Sequence, residues 1–224
     1  MKVFSTWREG VFLLLHPALW FRRELLDEDL CENPFDQFAI WYRAAERQWW
    51  GEFPNWCCLS TLDGDGYPEG RIVLMKNFSS EGFVFYTNRS SRKGISLIRD
   101  PRGSMTFFWE RLQRQVRIVG DVLPASEEDS DDYFRSRPRK SQIGAWASLQ
   151  SEELPSRQHL QRRMEEYARK FQGMEVPRPP HWGGFCLVPR RFEFWELRLN
   201  RLHDRFEYTQ IERGLLWNRR RLYP

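Results

Sequence analysis

Apolar and polar positions alternate along the chain in a way that predicts one helix, about five strands, two helices and then three or four closing strands. Asn33-Pro34 opens an amphipathic helix in which Phe35, Phe38, Ile40, Trp41 and Ala45 recur at helical spacing to about Trp50. Trp56–Leu62 reads as a strand, and Asp63-Gly64-Asp65-Gly66 as a hairpin turn into a second strand, Arg71–Lys76. Asn77–Gly82 supplies turn residues, and Gly82–Thr87 returns as a strand. Asn88–Lys93 forms a polar loop, and Ile95–Arg99 a short helix stopped before Pro101. Ser104–Glu110 and Gln113–Leu123 follow as strands.

A helix is predicted from near Pro124 to Pro138, with Glu127, Glu128 and Asp129 in its first turn, where anions complement the dipole. Ser136–Trp146 reads as a donor-rich loop, and Glu152–Gln172 as a charged helix broken by Pro177–Pro180. Phe185–Val188, Arg191–Arg198, Leu202–Thr209 and Leu215–Trp217 are the closing strands. Many antiparallel strands with few crossover helices predict a mainly β fold, a barrel with flanking α-helices, rather than a Rossmann sheet.

Composition changes this picture little. A chain of 224 residues with 41% apolar and 29% charged positions can bury a substantial core as one large domain or two small ones. The net charge of +4 suits anionic small molecules as well as nucleic acid. The four cysteines (Cys31, Cys57, Cys58, Cys186) lack C-x-x-C spacing, which predicts reduced thiols in a cytoplasmic protein. The four histidines show no metal-ligand spacing, so no metal is expected, and no P-loop, G-x-G-x-x-G or G-x-S-x-G is present. Val11–Phe21 is far too short to span a membrane and is interrupted by His16 and Pro17, so residues 1–30 are read as an N-terminal arm and residues 31–224 as the folded domain.

The candidate chemistry lies in clusters of cations beside apolar strands. Arg71 and Lys76 sit on one strand of the hairpin, and Arg92 and Lys93 just beyond the other; guanidinium forks suit phosphate, while the alternative is a solvated basic face. Strict alternation puts Arg71 and Lys76 on opposite faces, so a shared ligand requires a bulge or a site at the strand end. Arg114-Gln115 offers an amide within a strand, and Tyr133, Arg137 and Ser141 suit a second phosphate clamp, the alternative for each cluster being ordinary surface charge. Near the end, Trp195 accompanies Arg201, His203 and Arg205, which share one face if that segment is extended. Three such groups side by side repel one another unless an anion or cofactor covers them.

These residues carry a resemblance to the pyridoxamine 5′-phosphate oxidase family. The matching motifs are RIVLMK (71–76), FYTN..SRK (85–93), ERLQRQVRIVG (110–120), YFRSRPRKSQIGAW (133–146), EVPRPPHWGGF (175–185), FEFW (192–195) and RLHDRF (201–206). The resemblance implies an FMN-binding split β-barrel over residues 31–224, forming a homodimer through its C-terminal strands, with FMN at the subunit interface. It implies that Arg71, Ile72, Val73, Leu74, Tyr86, Thr87, Arg92, Lys93, Gln115, Gln150, Ser151, Trp195 and Arg205 hold FMN. Lys76, Tyr133, Arg137 and Ser141 would take the substrate phosphate, with Arg201 and His203 catalytic against the pyridine ring. The implied reaction oxidises pyridoxamine or pyridoxine 5′-phosphate at C4′ to pyridoxal 5′-phosphate. A hydride passes to the flavin, and O2 reoxidises it with release of hydrogen peroxide. The family's N-terminal Arg-x-x-Tyr element has no tyrosine counterpart in HPALWFRRE, where Arg22 and Arg23 are the cations available. One alternative is a barrel that binds FMN or pyridoxal phosphate with little turnover. Another is a nucleic-acid-binding barrel, against which SRPRKSQIGAW and RLHDRF argue; neither nucleic acid nor membrane is an expected partner.

Overall fold

The computed structural model describes residues 23–48, 53–212 and 216–224. In chain order the elements are α1 (Pro34–Arg47), β1 (Trp56–Leu62), β2 (Pro68–Ser79), β3 (Gly82–Asn88), α2 (Arg92–Arg99), β4 (Arg102–Trp109), β5 (Arg114–Pro124), α3 (Glu127–Ser136), α4 (Arg139–Ala147), α5 (Arg157–Lys170), β6 (Trp182–Glu196), β7 (Asp204–Glu212) and β8 (Leu216–Arg221). The strand order is β3-β2-β1-β4-β5-β6-β7-β8, and β3 also pairs with β6, which closes the first six strands into a barrel. Closure leaves those strands without a free edge. The mainly β barrel with flanking helices is therefore as expected.

Two compact units make up the chain. One holds Phe53–Phe107 and Arg117–Arg191; the other holds Phe108–Val116, Phe192–Pro224 and the described residues before Glu52. In the first, β1 alternates strictly, sending Cys57, Leu59 and Thr61 inward. They join Phe83, Phe85, Met105, Phe107, Ile118, Phe185 and Leu187 in a core of almost fully buried side chains. The β2–β3 hairpin runs on to Ser79, further than the turn signals indicate. Gly82 closes it at φ 145°, where a Cβ would lie 2.3 Å from the Leu187 carbonyl oxygen, so only glycine fits. Between Met75 and Asn77 the β2–β3 register shifts, placing a bulge at Lys76.

In the second unit, Asn33 accepts from the Phe35 N–H and Pro34 starts α1. Phe38, Trp41 and Ala45 are its buried face, with Trp41 edge-on to Phe194 at 5.2 Å; Ile40, expected on that face, is exposed. Residues of the arm are tied down here: Leu25 N–H donates to Asp204 Oδ2 (3.0 Å), and Arg221 donates to the Leu25 carbonyl (2.6 Å).

Three expectations are corrected. Ser136–Trp146 is not a loop, because α4 spans Arg139–Ala147 and Gln142 donates back to the Phe134 and Arg135 carbonyls that end α3. Phe185–Val188 and Arg191–Arg198 are parts of the single strand β6. Arg201, His203 and Arg205 do not share a strand face. Arg201 belongs to a 3-10 turn (Leu199–Arg201), with Asn200 at φ 55° and itself at φ 61°, and only Arg205 lies on β7. Two successive left-handed residues turn the chain where extension was expected. Val11–Phe21, Arg22 and Trp50 lie outside the described residues. Among those described, no helix is long and apolar enough to cross a membrane, no His/Cys/Asp/Glu group could hold a metal, and the four cysteines are free.

Candidate functional site

Arg71 and Lys76 do not share a cavity; they line two different cavities of the barrel unit. The larger, of about 410 Å³, is floored by Ile72, Val73 and Leu74 of β2 and walled by Tyr86 and Thr87 of β3. Lys76, Lys93, Tyr133, Arg137, Ser141 and Gln150 line the remainder, with Pro138 and Trp182. The near-parallel rings of Tyr86, Tyr133 and Trp182 form a triangular cluster, with centres 4.2 Å (Tyr86–Tyr133), 5.5 Å (Tyr86–Trp182) and 6.1 Å (Tyr133–Trp182) apart. Cations lie on this stack: Lys76 Nζ is 5.6 Å from the Tyr133 ring centre, and the Arg137 guanidinium 4.8 Å from that of Trp182.

Local sequence explains the placement of Arg137. It caps α3, donating its N–H to the Phe134 carbonyl, and its extended backbone suits the Pro138 that follows. Pro138 is the N-cap of α4, and Ser141 lies in that helix's first turn, which carries no acidic residue. An anion beside Ser141 therefore meets the positive end of a helix. Arg137 Nη1 is buried without a hydrogen-bond partner, and burial pulls the Arg137 pKa below its ordinary value. An unsatisfied buried donor of this kind costs about 1–3 kcal/mol, which a bound anion offsets.

A second cavity, of about 370 Å³, is lined by Glu69, Gly70, Arg71, Arg92, Lys93 and Ser151. Ser91 caps α2, so Arg92 and Lys93 occupy its first turn with no acid beside them. Cations at the positive end of a helix are unfavourable until an anion joins them. Ser151, at φ 78°, accepts the Arg92 N–H (3.2 Å). Lys93 lines both cavities; its Nζ contacts Ser91 Oγ at 3.2 Å and Thr87 Oγ1 at 3.4 Å, and burial, then the Arg71 charge, pull its pKa down. Arg71 is held by Thr61 Oγ1 (2.7 Å) and by an ion pair with Glu69 (3.0 Å).

The remaining predicted residues, Gln115, Trp195, Arg201, His203 and Arg205, belong to the other unit. Trp195 and His203 have ring centres 4.7 Å apart. His203 Nδ1 accepts the Arg198 N–H (3.1 Å), which assigns the neutral ring's proton to Nε2. Burial, then the Arg201 and Arg205 charges, push the His203 pKa down. Arg205 pairs with Glu193 (3.1 Å) and donates to the Tyr223 carbonyl (2.9 Å). Arg114, the neighbour of Gln115, pairs with buried Glu196 (2.6 Å) over the Trp41 ring, so its role is in packing.

Sequence reasoning missed Trp182. Its signal was the Trp-Gly-Gly run itself: a Cβ on Gly184 would lie 2.8 Å from the Tyr86 ring, and one on Gly183 2.4 Å from the Arg89 guanidinium. The bare strand leaves room for the Arg89 guanidinium over Gly183 and for the Tyr86 ring, which lies parallel to Trp182.

Comparison with known proteins agrees with the motifs. A family model described as pyridoxamine 5′-phosphate oxidase matches residues 47–171, and one described as the pyridoxine 5′-phosphate oxidase C-terminal dimerisation region matches residues 182–224. The chain is 47% identical over 199 residues to a pyridoxine/pyridoxamine 5′-phosphate oxidase of Nostoc punctiforme, covering 89% of this chain and 91% of the relative. It is 50% identical over 190 residues to the protein of that name from Bordetella petrii, covering 85% and 89%. Among solved structures, PhzG from Burkholderia lata, in complex with tetrahydrophenazine-1-carboxylic acid, superposes with a TM-score of 0.82 at 28% identity, covering 90% of this chain and 98% of that one. An oxidase-related, FMN-binding protein of Nostoc punctiforme shares the fold at a TM-score of 0.67 and 13% identity, covering 87% and 100%. With a family match over more than half its length and relatives near half identity, this chain belongs to the pyridoxamine 5′-phosphate oxidase family.

Proposed function

We propose that this protein oxidises pyridoxamine and pyridoxine 5′-phosphates to pyridoxal 5′-phosphate with FMN as cofactor, O2 as electron acceptor and hydrogen peroxide as by-product, the amine substrate also taking up water and releasing ammonia. The observation that carries this reading is the pair of cation-lined cavities sharing Lys93, since two phosphates side by side are what a phosphorylated flavin and a phosphorylated substrate bring. The donors fit FMN. Arg71, Arg92, Lys93 and Ser151 hold its phosphate at the first turn of α2, where an anion offsets two cations placed against the helix dipole. Ile72, Val73, Leu74, Tyr86, Thr87 and Gln150 form the apolar and polar bed for the ring; Gln115, Trp195 and Arg205 are assigned to FMN by the family motifs alone. When bound, FMN supplies the acceptor for the two electrons leaving the substrate.

The chain's own residues bind and orient the substrate. Lys76, Tyr133, Arg137 and Ser141 clamp the substrate phosphate, and the unpartnered Arg137 Nη1 gains its acceptor there. Arg201 and His203 are the residues at the pyridine ring. His203 stays neutral because Nδ1 already accepts a backbone N–H, so its Nε2 holds a proton to donate to the substrate's polar group. Arg201 is held at a left-handed backbone angle, a strain of about 1–3 kcal/mol of the kind that collects at functional sites. The dimerisation region over residues 182–224 supports a homodimer, and the four free cysteines suit the reducing cytoplasm.

Steady-state assays of FMN-loaded protein with pyridoxine 5′-phosphate and with unphosphorylated pyridoxine test this reading. Pyridoxal 5′-phosphate and peroxide should form in equal amounts, with kcat/KM far lower for the unphosphorylated alcohol. Bound flavin without either product would leave the alternative, a binding barrel with little turnover.

A further inference from the structure

The loop before β6 carries an ion cluster that the proposed chemistry does not use. All three guanidinium nitrogens of Arg178 are engaged: Nε with Asp131 (2.6 Å), Nη2 with Glu127 (2.5 Å), and Nη1 with the carbonyl of Trp182 (2.6 Å). Its side chain is only 12% exposed. Glu127 also receives Arg89 Nη1 (2.7 Å), and the Arg89 N–H donates to the His181 carbonyl (2.6 Å). The Trp182 N–H closes the turn onto Pro179 (3.0 Å). Hydrogen bonds from Arg89 and then Arg178 hold the Glu127 pKa below its usual range, and Arg178 does the same for Asp131.

The cluster joins two things that must stay in register. Glu127 and Asp131 lie one turn apart on α3, and Arg137 caps the same helix at its other end. The Trp182 indole lies under the Arg137 guanidinium and packs edge-on against buried Phe134 (5.1 Å). Arg178 thus fixes the α3 helix and the Trp182 ring to each other, and both support Arg137, whose buried Nη1 lacks a partner. A planar fork making three directed bonds can do this; a lysine, whose donors radiate from one nitrogen, keeps only part of it.

We infer that Arg178 is a positioning residue for the substrate's phosphate group, acting through Trp182 as the platform that aims Arg137. This rests on the proposed reading of the larger cavity as the substrate site. The consequence is selective. Disturbing the clamp weakens recognition of a phosphate ester and leaves handling of the same molecule without phosphate unchanged, whereas a merely structural role affects both alike.

The test compares pyridoxine 5′-phosphate and pyridoxine as substrates of the FMN-loaded enzyme carrying Trp182→Leu, Arg178→Met, Arg178→Lys or Glu127→Gln, with Arg137→Ala as reference. Trp182→Leu and Arg178→Met should raise KM for the phosphate ester about three- to tenfold, the loss of one desolvated cation–π contact. In the Arg178 and Glu127 variants, which lie outside the cavity lining, constants for pyridoxine and flavin content should stay as in the parent. Arg178→Lys and Glu127→Gln should give smaller rises in the same direction, and they keep the test available if Arg178→Met does not fold. An unchanged KM in the Trp182 and Arg178 variants, with Arg137→Ala raising it, overturns the inference alone. Equal losses for both substrates also overturn it, leaving Arg178 a folding residue. If Arg137→Ala itself leaves the KM unchanged, the anion site is misplaced and the inference falls with it.

Discussion

Replacing Arg137 by alanine should weaken substrate binding without weakening the fold, a combination that distinguishes a binding group from a packing group. In the ligand-free protein this guanidinium is half buried, rests 4.8 Å from the Trp182 ring centre, and leaves Nη1 buried without an acceptor. Removing it forfeits a cation–π contact of about 0.5–2 kcal/mol. The same change relieves an unsatisfied buried donor costing about 1–3 kcal/mol. The two nearly cancel, so Tm should move by no more than about 4 °C for a chain of this size. The bound state loses much more, because a charge-assisted hydrogen bond to phosphate contributes about 1.5–3 kcal/mol. KM for pyridoxine 5′-phosphate should rise about 10- to 150-fold, with kcat little changed because ground and transition states share that contact. Thermal unfolding of the apo protein and steady-state kinetics of the loaded enzyme give both quantities. A fall in Tm well beyond that limit with KM unchanged would refute the reasoning and make Arg137 a structural residue.

Three further outcomes follow from the same geometry. Arg92→Ala should weaken FMN binding by about 1.5–3 kcal/mol in a fluorescence titration; the apo protein should be no less stable, since a cation leaves the positive end of α2. His203, with a pKa pushed below the ordinary 6.5, should titrate by NMR on the acid side of that value. Because the unfolded chain then binds more protons, His203's contribution to stability is present in full above about pH 6.5 and is lost as pH falls through its folded pKa; a normal or raised titration contradicts the burial and cationic surroundings of the ring. Gly184→Ala should cost about 1–3 kcal/mol and disturb the Tyr86 stack, because its Cβ meets the Tyr86 ring and Ala125 at 2.8 Å. Denaturant unfolding and near-UV circular dichroism would measure that loss.

Much of the barrel was legible because its strands obey local rules. Trp56–Leu62 matches β1 at both ends, as its period-two burial and the Asp63–Gly66 turn dictate. The conflict between Arg71 and Lys76 was legible as a conflict; a bulge does occur at Lys76, yet the two cations line separate cavities. What escaped were features set by contacts distant in sequence. Phe185–Val188 and Arg191–Arg198 read as two strands, yet β6 is one 15-residue strand that begins at Trp182, with Tyr86 and Arg89 filling the space above Gly184 and Gly183. The α4 helix has a weak apolar stripe and is secured instead by Gln142 against the end of α3. The turn at Asn200-Arg201 depends on two left-handed residues, of which only Asn carries any prior signal. Of the candidate residues, the motifs brought the phosphate cations to notice, while Trp182 and Arg178 became visible only through the stack and the ion cluster.

The central claim is that this chain uses a bound flavin to oxidise a phosphorylated pyridine alcohol or amine. Mixing the FMN-loaded protein with pyridoxine 5′-phosphate in the absence of O2, while following flavin absorbance and product, addresses it without any coupled assay. The account predicts that the oxidised flavin band bleaches as pyridoxal 5′-phosphate appears in an amount equal to the bound flavin, and that admitting O2 restores the band. Flavin that stays oxidised in the presence of bound substrate contradicts it.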